Sequence, residues 1–96
     1  MVTVITKFEA KDDASTTELL GIFQKLLQET PMEKGYISYE ILSVKETLNT
    51  FYIIEKWNSE KDLQNHASLI EDKGYASQTV SLLKNKIENT ILQTLN

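Results

Sequence analysis

Residues Thr50–Trp57 alternate with the two-residue period of a β-strand, and both faces of that strand are largely apolar. Phe51, Ile53, Glu55 and Trp57 share one side; Tyr52, Ile54 and Lys56 share the other. A strand apolar on both sides needs cover on both sides. A chain of 96 residues has enough material for one layer of helices over a sheet, and little for a second. The second cover is therefore expected from outside the chain.

The flanking segments supply the rest of the sheet and the first cover. Val2, Val4, Thr6 and Phe8 alternate with Thr3, Ile5, Lys7 and Glu9, which predicts a strand. A polar break at Lys11–Ala14 precedes Ser15-x-x-Glu18, which has the form of a capping box. Leu19, Leu20, Ile22, Phe23, Leu26 and Leu27 follow at helical spacing, predicting a helix over 15–29 that Pro31 stops. Glu33-Lys34-Gly35 reads as a turn, Tyr36–Val44 as a second strand, and Lys45–Asn49 as a hairpin connection into Thr50. Ser59-x-x-Asp62 caps another helix with Leu63, His66, Ala67 and Ile70 on one stripe. Gly74 interrupts it, a short helical turn is expected over 77–83, and an alternating strand over 87–95 closes the chain. The expected fold is α+β, ferredoxin-like βαββαβ, as a single domain over 1–96: a four-stranded antiparallel sheet with helices on one face. Its bare face is expected to pair with an identical sheet, giving a homodimer in the form of a dimeric α/β barrel.

Composition narrows the chemistry. There is no cysteine, which excludes disulfides, thiolate metal sites and a cysteine nucleophile, and suits a cytoplasmic protein. One histidine without a second His or Cys gives no zinc-type ligand set. The net charge is −4, and all ten basic residues are lysine, which argues against a nucleic-acid partner. No apolar run is long enough to span a membrane.

The segment Phe51–Glu60, with Glu55 and Trp57, then Leu63 and His66, and with Gly35 and Tyr39 before it, resembles the antibiotic biosynthesis monooxygenase family of dimeric α/β barrels. The resemblance implies oxidation of a small aromatic, quinol-like or anthrone-like substrate by O2, with no metal, flavin or other cofactor. A deprotonated phenol reduces oxygen itself, so the protein needs an apolar pocket, a base and exclusion of water. His66, Trp57 and Glu55 are the candidate catalytic residues; Tyr39, Phe23 and Tyr52 are the candidate pocket residues. Each has a plainer alternative. His66 either serves as base or packs in the core, Glu55 either orients His66 or pairs with a lysine or the partner chain, and Trp57 either lines a pocket or fills the interior. Relatives that oxidise polyketides carry Asn four residues before the Trp and Tyr six after it; Ile53 and Leu63 stand there in this chain. Haem-degrading relatives use a His nearer the end of the helix than His66. An isomerase of the same barrel fold, or a non-catalytic dimeric ligand-binding or stress-associated protein, are the competing readings.

Overall fold

The computed structural model describes residues 1–96. The chain runs β1 (Val2–Glu9), α1 (Asp13–Glu29), a 3₁₀ turn (Thr30–Met32), β2 (Tyr36–Ser43), β3 (Thr50–Trp57), α2 (Glu60–Asp72), α3 (Tyr75–Leu82) and β4 (Glu88–Leu92). The sheet order is β2-β3-β1-β4, with every neighbouring pair antiparallel. This is the ferredoxin-like α+β arrangement. Each helical segment carries the chain over the sheet to a strand one position removed, so β1 and β2 flank β3 while β3 and β4 flank β1.

The expectations for β1, β2 and β3 hold within a residue. The start of α1 does not. The cap is Asp12, not Ser15: Asp12 is extended, and its Oδ1 accepts the Ser15 backbone N–H at 2.7 Å. Asp12-x-x-Ser15 carries the same three-residue spacing one turn earlier. Asp12 therefore takes the cap and Ser15 falls inside the helix, buried. The last strand is also shorter than the alternation suggested. Only Glu88–Leu92 lie opposite β1, from Lys7 back to Thr3, one residue short of the start of β1. The short helix α3 begins at Tyr75, directly after Gly74, whose φ of +79° lets the chain reverse there.

The core sits between sheet and helices. Leu19, Ile22, Phe23 and Leu26 from α1 meet Phe8, Phe51, Ile53 and Tyr39 from the sheet. Phe23 makes edge-on contacts with Phe8 and Phe51, centroids 5.4 and 5.7 Å away. Such pairs contribute roughly 0.5–1.5 kcal/mol each beyond area burial. The alternation of β3 is realised: Phe51, Ile53, Glu55 and Trp57 are buried under the helices, while Tyr52, Ile54 and Lys56 are half-exposed on the other face. The strand register places Ile5, Leu42 and Leu92 beside Tyr52 and Ile54 on that bare side.

Candidate functional site

Between the sheet and the helices lies a cleft of about 430 Å³, and 13 of its 19 lining residues are hydrophobic, so it suits an apolar occupant. Its walls come from every layer: Val4, Ile53 and Ile91 on the sheet, Phe23 and Leu26 on α1, Ile70 on α2 and Tyr75 on α3. Polar atoms are few. Thr6 and Asn89, joined by a 2.7 Å hydrogen bond from the threonine hydroxyl, occupy one part. Tyr39, Glu55 and His66 occupy another.

Local sequence fixes the second group. The Ser59 hydroxyl accepts the Asp62 N–H and donates to the Asp62 carboxylate, starting α2 at a defined residue. His66, one turn further on, then faces the sheet and is buried. Gly35, at φ +82°, packs against the Asp62 side chain so closely that a Cβ there would collide with it, and its carbonyl accepts the Asn58 N–H at 2.8 Å. The turn that follows Pro31 is thereby pressed onto the first turn of α2. That contact brings Glu33 to His66: Oε1 lies 2.8 Å from Nδ1.

The imidazole sits between two aromatic rings. Trp57 lies against it with centroids 4.6 Å apart and planes inclined by 35°, and Tyr39 meets it edge-on at 5.6 Å. Glu55 Oε1 accepts the Trp57 indole N–H at 2.8 Å and stands 3.7 Å from His66 Nε2. Burial raises the Glu55 carboxyl above its ordinary range. The Trp57 bond and the nearby His66 oppose that rise, and the Glu33 carboxylate adds to it. Burial, reinforced by Glu55 and Glu33, also pushes the Tyr39 phenol well above its usual value, so it keeps its proton.

The residues singled out from sequence are thus only partly gathered together. His66, Glu55, Tyr39 and Phe23 line the cleft. Trp57 is fully buried behind His66 and reaches the cleft only through the atoms it holds in place. Tyr52 lies on the opposite face of the sheet, against Ile5, Lys7, Glu88 and Thr90, and has no part in this cleft; strand alternation sends it there. Glu33, Thr6 and Asn89 were not anticipated. The sequence pattern places Thr6 and Asn89 on strands, but only the register of β1 and β4 sets them side by side, and a glutamate in a turn gives no local signal. No group of three or more His, Cys, Asp or Glu side chains is arranged to hold a metal ion. No helix is long and apolar enough to cross a membrane.

A ferredoxin-like sheet with helices on one face encloses an apolar cleft with one buried imidazole in its wall. The particular family follows from the sequence: the antibiotic biosynthesis monooxygenase family model matches residues 1–71, and the chain belongs to that family. Solved structures agree on the fold. A conserved protein from Methanosarcina mazei Go1 superposes with a TM-score of 0.90 at 21% identity, over 98% of this chain and 92% of that one. Rv0793 from Mycobacterium tuberculosis gives 0.89 at 22% identity, over 99% and 95%. SnoaB from Streptomyces nogalater, a cofactor-independent oxygenase, gives 0.84 at 14% identity, over 99% and 93%. No curated protein matches the chain.

Proposed function

We propose that this protein is a cofactor-independent monooxygenase that oxidises a small aromatic, quinol-like substrate with O2. The observation that carries the reading is the placement of His66, the sole imidazole, in the wall of an otherwise mostly apolar cleft. A flat phenolic ring fits such a space, and its hydroxyl finds a base in His66 and a donor in Tyr39. Removing the hydroxyl proton makes the ring electron-rich enough to pass electrons to O2. For an anthrone-like CH2 group, one oxygen atom replaces the two hydrogens as a carbonyl and the other leaves with them as water. The apolar walls keep solvent from the reactive intermediate. Membership of the family and the fold shared with SnoaB support this reading. In the same proposal the working form is a homodimer, with a second copy covering the bare face of the sheet.

One observation favours a second reading, non-catalytic ligand binding. Ile53 and Leu63 stand where polyketide-oxidising relatives carry Asn and Tyr, and both line the cleft with aliphatic groups. An oxygen electrode separates the two. With a panel of anthrones and hydroquinones, the monooxygenase consumes O2 stoichiometrically with product, and His66→Ala slows uptake by about 100-fold or more. Binding of panel members with no uptake above the uncatalysed rate would leave the carrier reading in its place.

A further inference from the structure

We propose that Glu33 is the positioning residue of this site: it holds the Nδ1 hydrogen of His66, so that Nε2 carries the free lone pair toward Glu55 and the cleft. This deepens the proposed function by naming which nitrogen acts and what fixes it.

His66 Nδ1 lies 2.8 Å from Glu33 Oε1, with the two side chains only 5% and 15% exposed, so the contact is a sheltered hydrogen bond. A carboxylate accepts, so the hydrogen is on Nδ1. A neutral imidazole with Nδ1 protonated has its lone pair on Nε2. That atom is 3.7 Å from Glu55 Oε1, too far for a hydrogen bond, and Glu55 Oε1 is already engaged by the Trp57 indole. The lone pair is therefore unspent at the edge of the cleft. When Nε2 takes a proton from a substrate hydroxyl, the O–H bond breaks, an Nε2–H bond forms, and the imidazolium lies between two carboxyl groups. Trp57 and Tyr39 pack against the ring, and that packing opposes its turning to exchange its nitrogens. Lys73 lies close enough to Glu33 to feel its field and is itself paired to Glu29 at 2.8 Å.

Glu33 does not face the substrate, so its effect passes through His66. The turn around Gly35 is built to hold it there. In hydrolases that use a buried carboxylate to orient a histidine, disturbing the tautomer alone lowers turnover by orders of magnitude.

The single histidine makes the test direct. In uniformly 15N-labelled protein at pH 8, long-range 1H–15N correlation of the ring reports which nitrogen carries hydrogen. The expected wild-type signature is protonated Nδ1 and bare Nε2, the reverse of free histidine in water. Glu33→Ala is expected to lose that preference, and Glu33→Gln, whose amide oxygen still accepts, to retain it. Backbone amide spectra of both variants show whether the fold persists. A wild-type ring protonated on Nε2, or a ring unchanged by Glu33→Ala in a folded variant, overturns the assignment. With an active substrate, Glu33→Ala should lower kcat by about 10-fold or more with KM little changed, and Glu33→Gln should recover most of it. Protonated Nδ1 lost in Glu33→Ala, but with no oxygen uptake from any substrate, would uphold the positioning role while removing the oxygenase reading.

Discussion

Glu55 is buried beside His66, and that burial raises its carboxyl above the ordinary range. An acid whose folded pKa is raised binds more protons in the folded than in the unfolded chain between its ordinary value of 4.5 and its folded value. Stability therefore falls as pH rises through that window, and the penalty is complete above it. Glu55→Gln removes the ionisation while leaving an oxygen to accept the Trp57 indole. The variant is expected to melt higher than wild type at pH 8 and to lose that advantage below about pH 4. Thermal melts of the two proteins across pH 4–8 check the sign; a variant less stable than wild type at pH 8 would show that the charged carboxylate is held favourably. His66→Ala is expected to act differently. It removes a buried side chain packed against Trp57 and Tyr39, so it should lower stability by about 1–3 kcal/mol at neutral pH as well as slow the proposed oxidation. Individual residues of this kind were legible only as types: a lone histidine on a helix stripe and a carboxylate on an apolar strand face are visible in the sequence. Whether Glu55 meets His66 or a lysine depends on how α2 crosses the sheet, and no local pattern encodes that.

At the level of elements, two glycines in the same chain should respond oppositely to the same substitution. Gly21 lies inside α1 with open space where a Cβ would stand. Gly21→Ala is expected to raise stability by roughly 0.5–1 kcal/mol, because alanine loses less freedom on entering a helix. Gly35 needs a positive φ and has the Asp62 side chain where its Cβ would be. Gly35→Ala is expected to cost roughly 1–3 kcal/mol and to disturb the His66–Glu33 contact. Denaturant melts give both numbers, and equal shifts for the two variants would mean that the turn is not pressed against α2 as described. Elements themselves were readable because their signals are short-ranged: alternation marks β1 and β3, and a Ser-x-x-Asp box marks α2. The α1 boundary was missed because Asp12 and Ser15 both satisfy cap chemistry, and only the backbone conformation at Asp12 decides between them. The Glu33–His66 pair spans 33 residues of sequence, and its cause is a glycine whose role appears only once α2 is in place.

On the scale of the whole molecule, only 20 of 96 residues are buried, and every residue of β4 is exposed, so the isolated chain leaves much of its sheet unprotected. The bare face carries Ile5, Tyr52, Ile54, Leu42 and Leu92, the last two 42% and 40% exposed. Lys7, Lys56, Glu40 and Glu88 lie among them on the same face. A twofold axis brings the same patch of two copies together, so lysines of one can meet glutamates of the other while the aliphatic centre is dried. A stable pairing of this kind removes about 800 Å² from each copy, which a four-stranded face can supply. The proposed homodimer should sediment at twice 11.0 kDa at micromolar concentration. Ile54→Asp places a charge at the centre of the face and should return the protein to one chain. Leu20→Asp, on the solvent side of α1 and 48% exposed, should leave the mass unchanged. A wild-type protein that sediments as one chain would mean that the apolar side of β3 is tolerated in water. The second apolar face of β3 would then need no cover, although the cleft on the helix side, built from one chain alone, would stand.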